Sequence, residues 1–167
     1  MKIIEIKRGK SPMKINLPNG DAYDSTLTII DEGKEIFHTD KVNTDATNNY
    51  NGGELAEGVY YGIVGYRWNP KSNKWDGKRI IKLFQNSVNL KRIKDHTCLS
   101  VDDMTLPSKK PNPNHKNKKI IAYVQIHDGG WDWDWSHGCI TILNTSLDFN
   151  KMMSLLEDNE IVAVKLV

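Results

Sequence analysis

Cysteine is scarce in this chain. Its 167 residues hold two, Cys98 and Cys139, too few for a disulfide framework, and neither sits in a CxxC pair that would mark structural zinc or dithiol exchange. Long apolar runs are also missing. No stretch approaches the roughly 20 apolar residues of a membrane span, and the opening MKIIEIKRGKSPMKINL has no uninterrupted apolar core of a secretory signal. Read as it stands, the chain begins in the cytoplasm. Neither sign of charge dominates: a net charge of +2 makes no case for a nucleic-acid partner. The basic runs GKRIIK, LKRIK and SKKPNPNHKNKK lack the interleaved aromatics of a single-strand groove and read as solvated faces and loops. With no repeat and no low-complexity linker, residues 1–167 are expected to form one domain, long enough to bury a real core.

What is present is a succession of short apolar or alternating segments separated by turn residues, the pattern of strands. KIIEIKR predicts a first strand, and STLTIIDEGKEIFHTDKV a hairpin turning at Glu32-Gly33. EGVYYGIVGYRW predicts a strand, NPKSNKWDG a turn and KRIIKLFQ another strand. Residues 106–119 read as a basic surface loop. IIAYVQIH, continuously apolar, predicts a central strand. ITIL follows Cys139, and EIVAVKLV closes the chain as a strand. Between these last two, NTSLDFNKMMSLLEDN predicts a helix with Leu147, Met152, Leu155 and Leu156 on one face and Thr145 or Ser146 as its N-cap. The expected fold is mainly β, a sandwich or barrel-like sheet with one helix before the last strand.

Reactive side chains concentrate in IHDGGWDWDWSHGCITI, residues 126–142. Three chemistries compete for them. The first is a cysteine nucleophile with its base: His127 ends the IIAYVQIH strand and Cys139 opens the next apolar run, so neighbouring strands would bring the two together as a Cys–His pair needs. Gly138 would allow close backbone approach, and the amides of 137–139 are candidate oxyanion donors. The second is a metal site, since His127, Asp128, Asp132, Asp134, His137 and Cys139 all carry ligating atoms; no HExxH spacing supports it. The third is an aromatic platform. Period two would place Trp131, Trp133 and Trp135 on one face, to stack on a sugar ring or to pack as a hydrophobic cluster, with Asp132 and Asp134 on the other, solvated or holding an amine. Cys98, in DHTCLSV, reads as a small core residue, and His38, His96 and His115 lie outside any constellation.

SHGCITI preceded by IH resembles the signature of the L,D-transpeptidase catalytic domain, the YkuD-like family: a histidine ending a strand, a variable loop, then Ser/Thr-x-Gly-Cys. EGVYYGI is similar to a conserved strand of that family, TLTIIDEGKEIFHT to its opening hairpin, and NTSLDFNKMMSLLEDNEIVAVKLV to its closing helix and strand. The likeness is specific over 120–167, looser over 26–66 and absent over 67–119. It implies that Cys139 is the acyl-accepting nucleophile and His127 its general base, with the carbonyl of Asp128 orienting the imidazole. It further implies that Ser136, His137 and Gly138 shape the pocket and oxyanion hole. The implied chemistry is attack on an L,D-linked peptide bond of a peptidoglycan stem peptide, with no cofactor and no metal, in the cell envelope or periplasm. Trp131, Trp133, Trp135 and Thr141 would contact substrate. Two features depart from the family: Thr141 stands where many members carry arginine or asparagine, and only 12 positions separate His127 from Cys139. They leave three outcomes open. These are transfer to an amine, hydrolysis as an L,D-carboxypeptidase, and an inactive cell-wall-binding module that uses the tryptophans. Oligomeric state is not encoded in any pattern found.

Overall fold

A computed structural model describes residues 1–9, 12–13, 22–23, 25–44, 52–93, 98–129, 139–143 and 147–167. Eight strands close into a barrel: β1 (Ile3–Lys7), β4 (Ser25–Asp31), β5 (Lys34–Asn43), β6 (Gly58–Tyr66), β7 (Arg79–Phe84), β10 (Gln125–Gly129), β11 (Ile140–Leu143) and β12 (Ile161–Leu166). Around the barrel the order is β1-β12-β6-β7-β10-β11-β5-β4, and β4 returns to β1. Closure leaves the barrel sheet no free edge. Two small hairpins lie outside it, β2 (Pro12–Met13) with β3 (Ala22–Tyr23), and β8 (Thr105–Asn112) with β9 (Lys118–Ala122).

The barrel interior follows from alternation along each strand. Ile4 and Ile6, Leu27 and Ile29, Val64, Ile81 and Leu83, Ile126, Ile140 and Ile142, and Val162 and Val164 point inward and are fully or almost fully buried. Gly62 on β6 makes room for this packing: a Cβ there would lie 2.7 Å from Ile81 Cγ2 and within 3.3 Å of Val162 and Val164. The hairpin between β4 and β5 turns at Glu32 (φ 48°) and Gly33 (φ 78°), as the sequence predicts; two successive positive φ values match the right-handed twist of the strands.

The helix, α1 (Asp148–Ser154), packs on the barrel through Phe149, Met152, Met153 and Leu156. The predicted face is half right: Leu147 and Leu155 are 65% and 36% exposed, because the helix is only two turns long and starts later than expected. Leu147, at φ 60°, holds the N-cap position in place of Thr145 or Ser146, and no side chain caps it; the latter two lie outside the described residues. The C-terminal end is fastened by Arg79 of β7. Its guanidinium donates to the carbonyls of Met153 (2.6 Å) and Leu156 (2.7 Å) and to Asp158 (2.8 Å). Carbonyls at a helix end that would otherwise need water are thus satisfied from the barrel wall.

Two expectations are corrected. IIAYVQIH is not one strand. Tyr123, at φ 59°, breaks it into β9, which pairs with β8, and β10, which enters the barrel between β7 and β11. Residues 106–119 are likewise not simply loop: they contribute β8, a 3-10 turn at Pro113–His115 and the start of β9. Pro107 and Pro111 are compatible with a strand because β8 ladders only with β9, leaving its other side largely unladdered. The segment's lysines remain mostly at the surface.

Candidate active site on the outer barrel face

Register fixes what shares the outer face of β6, β7, β10 and β11. Ile63 pairs with Lys82, and Lys82 with Gln125. Ile126 pairs with Ile140 in parallel, so Gln125 lies level with Cys139, and His127 pairs with Thr141. Paired residues point to the same side of a sheet and so do residues two apart. Lys82, Gln125, Cys139, His127 and Thr141 therefore occupy one patch. Part of the same face is covered by a second small core, Ile63, Phe84, Ile93, Leu99 and Met104, supplied largely by the segment after β7.

The strands bearing the candidate pair are neighbours, as the sequence suggests, but parallel. Cys139 stands at the entry to β11 and His127 two residues further along β10, a diagonal offset. From the strand spacing and rise this is about 8 Å between Cα positions. No Cys139–His127 hydrogen bond is formed among the described residues. His127 is 6% exposed, and its Nδ1 lies 2.7 Å from the Asp128 carbonyl. A carbonyl only accepts, so Nδ1 carries the proton and Nε2 keeps its lone pair, with no hydrogen-bond partner among the described residues. Burial, reinforced by the positive charge of Arg67, pushes the His127 pKa down from 6.5 to about 4. The ring is thus neutral at physiological pH.

Cys139 is half-buried, and its thiol lies 3.9 Å from the carbonyl of Tyr123. Burial pushes the thiol pKa up, against the opposing pull of the Gln125 backbone and Arg67. The resting pair is therefore thiol and neutral imidazole, not thiolate and imidazolium. Tyr123 offers this carbonyl from the left-handed conformation that ends β9, sterically unfavourable for a tyrosine and found where surrounding structure over-determines it.

Sequence reasoning missed the cations around the pair. Arg67, just past β6, donates from Nε to Gln125 Oε1 at 2.9 Å. It is held by a close turn in which the amide of Gly77 reaches the Arg67 carbonyl at 2.8 Å. Lys78 forms an ion pair of 3.0 Å with Asp128, on the side of β10 where an open cleft of about 460 Å³ is bordered by Phe149, Asn150 and Met153. Lys82, only 4% exposed, has its ammonium 4.7 Å from the centre of the Trp75 ring. Trp75 in turn meets Trp68 edge to face, their centroids 5.3 Å apart. Lys82 had left a trace in the sequence: one charge inside the buried strand RIIKLF, where lysine is rarely placed without purpose. Arg67 left none.

Thr141 is 4% exposed and packs beside Gly129. Trp131, Trp133, Trp135, Ser136, His137 and Gly138, with Asp132 and Asp134, lie outside the described residues. No group of three or more His, Cys, Asp or Glu side chains suited to a metal occurs among the described residues. Cys98 is exposed rather than a core residue, since the turn that carries it lies on the rim of the second core. None of the described helices is long and apolar enough to cross a membrane.

The fold and this patch define a mainly β protein with a closed barrel and a buried histidine beside a half-buried cysteine. Comparison with protein-family models, curated proteins and solved structures yields no match.

Proposed function

We propose that the protein is an L,D-transpeptidase-like cysteine acyltransferase acting on peptidoglycan stem peptides, with Cys139 as nucleophile and His127 as general base. The observation that carries this reading is the bond from His127 Nδ1 to the Asp128 carbonyl. It fixes the tautomer with Nε2 free to accept a proton, on the barrel face that also carries Cys139. Because the resting thiol is protonated, activation has to be concerted. Nε2 takes the Cys139 proton as Sγ attacks the carbonyl of the L,D-linked peptide bond, and His127 returns that proton to the departing amine of D-alanine. Amine or water, activated by the same imidazole, then attacks the thioester and releases Cys139. In this reading the amide of Cys139 is the oxyanion donor. This chemistry calls for no cofactor and no metal, and places the substrate in the cell envelope.

One observation favours a second reading, a catalytically inactive cell-wall-binding module. Burial moves both the His127 and the Cys139 pKa in the direction that opposes forming a thiolate–imidazolium pair. Intact-protein mass spectrometry after exposure to a carbapenem separates the two. A stoichiometric adduct present in wild type and Cys98→Ala but absent from Cys139→Ala is the expected result. No adduct on any of the three would overturn the enzymatic reading in favour of the binding module.

A further inference from the structure

Lys82 is the least expected residue of the outer face. Its neighbours along β7, Ile80, Ile81, Leu83 and Phe84, are all apolar and buried, so the strand would accommodate leucine or methionine in its place. The ammonium forms no hydrogen bond and no ion pair among the described residues, and its one polar contact is the face of Trp75. Burial lowers its pKa, and no described carboxylate lies near enough to oppose the shift. An uncompensated buried cation is a standing free-energy cost; a ring face offsets only part of it.

The position of this charge is specific. Lys82 pairs with Gln125, and Gln125 lies level with Cys139 in the neighbouring parallel strand. Two strand spacings therefore separate Lys82 from Cys139, about 10 Å between Cα positions. Gln125, between them, has its side-chain oxygen engaged by Arg67 at 2.9 Å, which brings a second cation to the same patch. Trp75, 40% exposed, connects the buried ammonium to the surface.

We propose that Lys82 and Arg67 form a carboxylate-binding subsite beside Cys139, so that the acyl donor recognised there is one that carries a free carboxylate near the bond under attack. The assignment of an acyl donor rests on the function proposed above; the anion subsite itself does not. A carboxylate bound there supplies the counter-charge that Lys82 lacks among the described residues, and forms a charge-assisted hydrogen bond in a water-poor setting where such bonds are strongest. Arg67, kept in place by Gln125, adds a planar fork suited to two carboxylate oxygens.

The test uses two small alkylating reagents that differ in charge, iodoacetate and iodoacetamide, with peptide mapping to resolve Cys139 from the exposed Cys98. The ratio of the two rates at Cys139 is compared in wild type, Lys82→Met and Lys82→Arg. A unit charge about 10 Å away at an effective dielectric near 20 corresponds to a factor of roughly ten. The expected result is an iodoacetate-to-iodoacetamide ratio at Cys139 that falls about tenfold in Lys82→Met, is largely restored in Lys82→Arg, and does not change at Cys98. An unchanged ratio at Cys139 overturns the proposal. So does a Cys139 inert to both reagents, because a subsite open to a carboxylate beside that thiol admits them. Carbapenem acylation with an unchanged ratio removes the subsite alone. A charge-dependent ratio without acylation removes the transpeptidase reading and keeps the subsite.

Discussion

Replacing His127 with glutamine removes an imidazole whose proton affinity the fold suppresses, and the consequence for stability can be worked out. With an unfolded pKa of 6.5 and a folded pKa of about 4, both states carry a neutral ring above pH 6.5 and the group contributes no pH dependence. As pH falls below 6.5 the unfolded chain takes up a proton that the folded protein refuses, so stability is lost progressively until the folded ring also protonates near pH 4. At pH 4.5 the loss attributable to His127 is about 2–3 kcal/mol, and it levels off at about 3–4 kcal/mol below the folded pKa. The ring is only 6% exposed, so little solvent screening reduces this. Urea unfolding of wild type and His127→Gln at pH 7.5 and pH 4.5 isolates the effect, because carboxylates titrating in the same window are common to both proteins. Wild type is expected to lose about 2–3 kcal/mol more than the variant over that interval. Equal losses in the two proteins would mean that His127 is not held neutral by burial, and the description of the resting site would fail with it.

Two further substitutions probe the packing that positions the site. Gly62→Ala places a methyl 2.7 Å from Ile81 Cγ2 in the barrel interior. Overpacking of this kind is expected to cost about 1–3 kcal/mol, a fall of several degrees in Tm measured by calorimetry; an unchanged Tm would show that Ile81 has room to yield. Arg79→Met removes the guanidinium from two carbonyls at the end of α1 and is expected to lose about 2–3 kcal/mol in urea unfolding. Arg79→Lys should recover less than half of this, since one ammonium does not reproduce a planar fork; full recovery would assign the effect to charge alone.

Most of the barrel was legible from alternation and turn chemistry. Glu32-Gly33 announced its hairpin, and the inward residues of β1, β4 and β12 follow strict period two. IIAYVQIH misled because no glycine or proline marks the break at Tyr123: tyrosine is a strand former, and its left-handed backbone is imposed by the tertiary requirement that β9 and β10 join different sheets. The parallel pairing of β10 with β11 was equally hidden, since composition does not distinguish a parallel neighbour from an antiparallel one. As a result His127 and Thr141, rather than His127 and Cys139, stand directly opposite. The helix face was half legible, because a pattern of period 3.6 over two turns is too short to fix its phase. Of the site, the histidine and cysteine could be read from local sequence. Arg67 could not, because its relation to Gln125 spans 58 positions and exists only once three strands are side by side.

The place of β12 in the barrel governs the order in which the fold can be completed. This strand, the last in the sequence, inserts between β1 and β6 and pairs in parallel with β1, more than 150 positions earlier. During synthesis the facing edges of β1 and β6 have no partner until residues 161–166 emerge, so the nascent chain presents two apolar, unladdered edges for most of its elongation. Closing the ring brings together strands 160 positions apart, a topology whose search is slow. The interval before closure is when intermolecular strand pairing competes best. Truncation within β12 should therefore yield an open and self-associating sheet rather than a smaller barrel.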